Sequence, residues 1–404
     1  MNVKLDTPVS VYDFDRIETD DLAAILRESA GIPADSGDVL RVAAVIDGTP
    51  LEERDRLLEA LGKHCSLAVS DRVEPNPRTD DIMVMAGEPA VRRASVILGI
   101  GGGSVLDSAK ALAMLAANGG TLTDYLGAAP ARTITKQSIP LVLIPTTAGT
   151  GSEVTKVGVY TSPEGRKHTL GSPLMMAKSA VLSGSFLNSV PPRLCAATGF
   201  DALDHSLESI WNKNATDHTR AIAEDAAAEV LTWLPRAYAH AVQIRDGMRP
   251  DPGELMAVNR KMLAASCMAG TAFNITGTAA GHALSFILSE DWHVPHGAAC
   301  AFTLLDVFDL ALENADTAAS LARISARFHP DSKNERELTA ALRKMIAAMM
   351  RDMAMPENFR DLGVTISAGE IDSHFSRSFS DPKMLNQLPP ASKETIYPFL
   401  EKKC

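Results

Sequence analysis

Two histidine-bearing segments stand far apart in this chain of 404 residues. In TGFDALDHSLES, Asp201 and His205 stand four residues apart, which on a helix puts a carboxylate and an imidazole on one face about a turn apart, with Asp204 on another face. In GHALSFILSEDWHVPHG, His282 sits in an apolar, helix-like run where an unsatisfied imidazole is costly, and His296 precedes a glycine in a turn. Three imidazoles and one carboxylate make a four-ligand shell for a divalent metal, with room for a water or a substrate oxygen. The plainer reading of the Asp201/His205 pair alone is a solvated contact on a helix face. Composition does not bring the two segments together.

A second constellation could bind phosphate. ILGIGGGSVLDSAKAL sets a strand against Gly101, Gly102 and Gly103, then Ser104 and an amphipathic helix. Glycines let the backbone approach a ligand, and the free N–H groups of a helix start attract an anion. A glycine triplet is equally common as plain turn chemistry, so two further features matter. IPTTAGTGSEVT closes another strand with Thr146 and Thr147, whose hydroxyls suit ribose and phosphate oxygens, and Asp47 ends VAAVID. A carboxylate there accepts from an adenosine ribose and repels a 2′-phosphate, so the three together point to a dinucleotide, NAD(H) over NADP(H).

These residues need a scaffold. VLRVAAVID, CSLAVS, ASVILGIGGG and IPLVLIPTT read as buried parallel strands, because they are apolar without alternation and end in turn residues. Helix-like stretches such as PLEERDRLLEALGKH and SVLDSAKALAMLAANGG lie between them, the rhythm of an open α/β sheet. From SVPPRLCAATGFDALDHSLESIWN onward the chain is helical, with Pro191-Pro192 starting the helix that carries Asp201. The expectation is a Rossmann-like α/β domain over 1–190 and an all-α metal and substrate domain over 191–404.

Composition excludes several classes. A net charge of -11 disfavours nucleic acid or an anionic membrane as partner. No apolar run is long enough to span a bilayer and the N-terminus lacks a signal pattern. Five cysteines, with no C-x-x-C pair, indicate neither disulfides nor a thiolate zinc site, so a reducing cytoplasm is expected.

The motifs GGGSVLDSAK, IPTTAGTGSEVT, ATGFDALDHSLES and GHALSFILSEDWHVPHG, in that order, resemble the iron-containing (group III) alcohol dehydrogenases. The resemblance runs from about Val39 to the C-terminus. It implies an active site between an α/β domain and a helical domain, with metal ligands at Asp201, His205, His282 and His296. It implies a pyrophosphate loop at Gly101, Gly102, Gly103 and Ser104, nucleotide contacts at Thr146 and Thr147, and an NAD-selecting acid at Asp47. Thr155 and Lys167 match positions near the nicotinamide and its ribose, with Lys167 also placed among the catalytic residues. Fe(II) is the expected metal, with Zn as the alternative, and a homodimer or larger assembly is implied.

Two positions depart from the family. Many relatives carry a histidine four residues after His282, where it is proposed to relay protons, and here that residue is Phe286. The final proton is therefore expected from water, passed along a ribose hydroxyl or His293, which matches no ligand. Ser183-Gly184 replaces the usual Asp-Pro.

LESIWNKNAT and GRKHTLGSP resemble the subgroup that reduces phosphonoacetaldehyde to 2-hydroxyethylphosphonate, which makes Lys156, Arg166, Lys167 and Lys213 candidates for the phosphonate. Lactaldehyde or another short aldehyde is the alternative. A metal-dependent hydrolase or a lyase of dehydroquinate synthase type would use the same ligands without net turnover of NADH.

Overall fold

The computed structural model describes residues 2–3 and 6–404. The chain divides into two compact units that interleave in sequence. The first comprises Met1–Thr147, Gly151–Val190 and Asp251–Cys267; the second comprises Ala148–Thr150, Pro191–Pro250 and Met268–Cys404.

The first unit is built on strands β1 (Asn2–Val3), β2 (Ser10–Phe14), β3 (Arg41–Asp47), β4 (Ser66–Val73), β5 (Val96–Gly101), β6 (Leu141–Pro145) and β9 (Ser179–Ser183). They form one sheet in the order β1-β2-β9-β6-β5-β3-β4, parallel throughout except for β1. The central strands β5, β6 and β9 are buried at every residue, which explains their unbroken apolar sequences. Strands β7 (Val157–Thr161) and β8 (Lys167–Gly171) pair separately as an antiparallel hairpin.

The residues before Val39, the part least typical of the family, supply β2 and the Thr19–Ser29 helix. The helix places Leu22, Ile25 and Leu26 in the same core as Val96, Leu98 and Val142. At Gly184 a Cβ would meet Met256 Sδ at 2.6 Å, so the departure from Asp-Pro lets the backbone fit under the Pro252–Thr276 helix.

The second unit is helical, as its 3.6-residue apolar periodicity requires. The helices that matter for the site are Pro192–Ile210, Ala280–Trp292 and His296–Ala311. Pro192 occupies the first turn of its helix, where a missing N–H costs nothing. The long Asp217–Arg245 helix is capped by Thr216, whose Oγ1 accepts from the Thr219 amide while Thr219 Oγ1 accepts from the Thr216 amide. The five cysteines are free. Among the described residues no helix is long and apolar enough to cross a membrane.

Candidate active site

The Pro192–Ile210 helix presents Asp201 and His205 on one face, as the four-residue spacing dictates. His282 comes from the first turn of the Ala280–Trp292 helix and His296 opens the next helix after a left-handed cap at His293. Three ring nitrogens surround one oxygen: His205 Nδ1 at 3.7 Å, His282 Nε2 at 3.6 Å and His296 Nε2 at 3.6 Å from Asp201 Oδ1. These separations are too long for hydrogen bonds. They are near the ~3.4 Å edge of a tetrahedron whose centre lies ~2.1 Å from each ligand.

Asp201 Oδ1, His205 Nδ1 and His282 Nε2 are buried and have no hydrogen-bond partner. Orphaned acceptors in a dry interior are expensive, and a shared cation satisfies all of them at once. The residues present therefore fit a divalent metal. Cys300 also faces this group, with its Sγ 3.8 Å from His296 Nε2, and Asp201, His282, His296 and Cys300 can each offer an atom within 4.8 Å of the others. His205 joins them through Asp201 and through its ring's contacts with His282 at 4.3 Å and Phe273 at 4.2 Å.

His205 and Asp201 are electrostatically suited to that role, whereas Cys300 and the acids around His282 outweigh burial and raise its imidazole well above the ordinary range. Burial lowers the His205 imidazole to about 4, which leaves it neutral near pH 7, the form a metal requires. Burial opposes ionisation of Asp201, but the surrounding histidines overcome it and hold the carboxyl below its ordinary range.

Behind the ligands, Glu208 lies one turn beyond His205, fully buried. Its carboxylate accepts from His282 Nδ1 at 2.8 Å, from the His282 amide at 3.1 Å and from the Ala279 amide at 2.5 Å. One side chain thus caps the Ala280–Trp292 helix and aims its histidine. Asp204 Oδ2 stands 3.2 Å from the same Nδ1. Burial and the Glu208 charge push Asp204 up to about 7, while His282 outweighs burial at Glu208 and lowers it, so Asp204 is the carboxyl that keeps a proton. Gly281 makes room for both, since a Cβ there would meet Glu208 Oε1 at 2.9 Å. Gly297 has a similar role beside His296, where a Cβ would lie 2.1 Å from the Ala197 carbonyl oxygen.

The two halves of the chain match two family models, the iron-containing alcohol dehydrogenase over 26–183 and the C-terminal region of that family over 195–404. The chain belongs to the iron-containing alcohol dehydrogenase family. It is 31% identical to the 1-propanol dehydrogenase of Citrobacter freundii over 75% of each chain. It is 29% identical to the sulfoacetaldehyde reductase of Bilophila wadsworthia, over 87% of this chain and 86% of that one. The sulfoacetaldehyde reductase of Bifidobacterium kashiwanohense, solved in complex with NAD+, superposes with a TM-score of 0.81 at 25% identity over both full chains.

As an iron-containing alcohol dehydrogenase the protein is an oxidoreductase that interconverts alcohols and aldehydes. Gly101 cannot be replaced, because a Cβ would lie 2.4 Å from Val105 Cγ2 at the start of the Gly103–Asn118 helix. Gly102 caps that helix, and a Cβ there would meet nothing nearer than Thr147 Oγ1 at 3.6 Å. The Thr146 amide donates to the Gly101 carbonyl at 3.0 Å, so Gly101, Gly102, Gly103, Ser104, Thr146 and Thr147 form one surface at the ends of β5 and β6.

Asp47 ends β3 as expected, and its Oδ1 already accepts from the Thr49 amide at 2.9 Å and from Arg54 Nη1 at 3.3 Å. Thr155 is buried, with its hydroxyl 3.0 Å from the Lys110 ammonium. Lys167 starts β8 opposite Thr161.

The alcohol dehydrogenase also holds site residues that sequence reasoning misses. Asp204, three residues after Asp201 and four before Glu208 and so a neighbour of both on the helix surface, faces His282 together with Glu208. The spacing of Glu208 from Asp201, seven residues on one helix face, is the signal that could have found it. Lys110 is a fully buried ammonium donating to Ser152 Oγ, Thr155 Oγ1 and the Val157 carbonyl, which fixes the turn after β6. The Lys383 ammonium sits 4.0 Å from the centre of the Phe286 ring, a relationship no motif announces.

Proposed function

We propose that this alcohol dehydrogenase reduces a short aldehyde to a primary alcohol with NADH, with phosphonoacetaldehyde, reduced to 2-hydroxyethylphosphonate, as the preferred substrate. The observation that carries the reaction class is the convergence of three imidazole nitrogens on Asp201 Oδ1 at 3.6 to 3.7 Å. The choice of an anionic two-carbon aldehyde is supported by the LESIWNKNAT and GRKHTLGSP segments and by relatives named as sulfoacetaldehyde reductases.

Asp201, His205, His282 and His296 would hold one divalent metal, Fe(II) by preference and Zn as the alternative. When bound, the metal supplies Lewis acidity to polarise the carbonyl and the reduced nicotinamide supplies the hydride. When His282 binds a metal as the neutral imidazole, Glu208 would keep its proton on Nδ1 and leave the Nε2 lone pair facing Asp201 Oδ1. Phe286 has no proton to give, so the proton that completes the alcohol comes from solvent. His293 is an exposed helix cap outside the ligand cluster, so water reaching the site directly is the simpler source.

The α/β portion, residues 1–190, would bind NAD(H) rather than NADP(H), because Asp47 ends its strand with a carboxylate where an adenosine ribose binds in such folds. Thr155 and Lys167 would lie near the nicotinamide and its ribose. A homodimer or larger assembly in the cytoplasm completes the reading.

A panel of phosphonoacetaldehyde, sulfoacetaldehyde, lactaldehyde and propanal, run with NADH and NADPH on Fe(II)- and Zn-loaded protein, tests it. The reading predicts the highest kcat/KM for phosphonoacetaldehyde with NADH. Equal turnover of propanal and phosphonoacetaldehyde would remove the substrate assignment. No net oxidation of NADH with any aldehyde would remove the reductase reading.

A further inference from the structure

An anionic substrate needs a cation fixed near the reacting carbonyl. Of the four basic residues that the sequence suggests, Lys213 is the one that shares a unit with Asp201, His205, His282 and His296. Lys213 is in the second unit but exposed.

Lys383, also in the second unit, is placed differently. Its ammonium lies 4.0 Å from the centre of the Phe286 ring, and the same ring stands 6.3 Å from the ring of the ligand His296. Phe286 is one helical turn after His282, so a single ring contacts the ammonium on one side and neighbours His296. The Lys383 side chain is 15% exposed, far below what a free surface lysine shows.

The segment around Lys383 is tied down from both sides. Asn386 Nδ2 donates to the Thr278 carbonyl at 2.9 Å, just before the helix that carries His282. The Lys213 amide donates to the Asn386 carbonyl and the Leu388 amide to the Trp211 carbonyl, just after the helix that carries Asp201 and His205. The two helices that provide three of the four ligands therefore also set the position of Lys383. Asp381 takes one side of the ammonium, with its Oδ2 at 3.1 Å and Oδ1 at 3.4 Å. The two Asp381 contacts occupy at most two of the ammonium's three donors, and a cation–π contact needs no N–H of its own, so a donor remains for a ligand.

We propose that Lys383, steadied over the Phe286 ring, receives the anionic end of the aldehyde and sets the preference for charged over neutral short aldehydes. The inference rests on the reading of the enzyme as a reductase of a short anionic aldehyde. It gives Phe286 a purpose. An aromatic face steadies an ammonium by cation–π attraction, whereas a histidine there would compete with it for charge.

The test uses the metal-loaded enzyme and the variants K383M and D381N, with phosphonoacetaldehyde and propanal as substrates and phosphonoacetate as a non-reducible anion. K383M is expected to raise KM for phosphonoacetaldehyde and the inhibition constant of phosphonoacetate by about 10- to 100-fold, the range for a charge-assisted hydrogen bond. Propanal kinetics should stay within about twofold, as expected for a contact that the neutral substrate does not make. D381N, which frees the ammonium, is expected to tighten phosphonoacetate.

Loss of activity toward both aldehydes in K383M, with D381N leaving phosphonoacetate inhibition unchanged, would mean that Lys383 only braces the C-terminal segment, and would overturn the inference. A K383M enzyme that keeps the parent's preference for phosphonoacetaldehyde would also overturn it. A parent enzyme that shows no preference for phosphonoacetaldehyde, yet loses phosphonoacetate inhibition in K383M, would overturn the substrate reading and leave anion recognition by Lys383 standing.

Discussion

His282 is held at one ring edge and faces the cluster with the other: Nδ1 lies 2.8 Å from Glu208 Oε2, and Nε2 stands 3.6 Å from Asp201 Oδ1. A carboxylate behind a ligand histidine fixes its tautomer and orientation. Glu208 does so from a fully buried position and also accepts the Ala279 amide, so removing it frees both the ring and a helix start. Glu208→Leu is expected to weaken metal binding about 10- to 100-fold. Competition against a chelator, read as metal retained by the protein, measures this without recourse to activity. Retention equal to the parent's would show that the ligands hold their geometry unaided.

The glycine turn proposed to hold the nucleotide can be tested separately from folding. Gly102 caps the Gly103–Asn118 helix, and a side chain there meets only Thr147. An aspartate suits a helix cap and places its charge where a pyrophosphate would bind. Gly102→Asp should therefore leave the melting temperature unchanged or slightly raised while NADH fluorescence enhancement disappears. Retained NADH binding would place the cofactor elsewhere.

Asp47 is braced by Arg54, whose guanidinium also reaches the Thr49 carbonyl at 2.8 Å. Removing the carboxylate leaves the Arg54 guanidinium paired only with Asp55, through Nε at 3.0 Å, and an arginine at this place in a dinucleotide fold accommodates a 2′-phosphate. Asp47→Gly is expected to shift the ratio of kcat/KM for NADPH over NADH upward by at least about tenfold, the effect of one charge-assisted contact. An unchanged ratio would mean that Asp47 does not face the ribose.

Much of this is legible in the sequence because the governing signals are local. Parallel strands covered on both faces must be apolar throughout, so β3, β5 and β6 stand out; β2 does not, because SVYDF carries partly exposed residues and pairs with β9 across most of the first unit's chain length. The proposed ligands Asp201, His205, His282 and His296 can be picked out because carboxylates and imidazoles are costly in apolar helices. Asp204 escapes because, although it neighbours Asp201 on the helix surface, its partner His282 comes from another helix. Lys383 is invisible for the same reason: its meaning lies in a ring 97 positions away.

Phe286 offers a direct probe of proton handling. Its ring stands 6.3 Å from His296 and 4.0 Å from the Lys383 ammonium. Phe286→His places a titratable group there and removes the surface that steadies Lys383. The variant should gain a limb in the pH–rate profile between about pH 6 and 8. A profile superimposable on the parent's would show that this position takes no part in proton delivery.

Glu153, in the first unit, links stability to pH. It is buried, and its Oε2 has no hydrogen-bond partner. Burial raises its carboxyl from 4.5 to about 7, against smaller opposing effects of its own backbone, Lys110 and Cys267. The unfolded chain releases this proton near pH 4.5, whereas the folded chain keeps it to about pH 7. Between those values the unfolded chain binds fewer protons, so the fold loses stability as pH rises from 4.5 to 7 and the loss is complete above that window. The accumulated cost is on the order of 3 kcal/mol. Glu153→Gln keeps the shape and removes the titration. The variant is expected to melt close to the parent at about pH 4.5 and several degrees above it at about pH 8. A constant difference across that range would show that Glu153 is ionised in the fold from the start, held by Lys110.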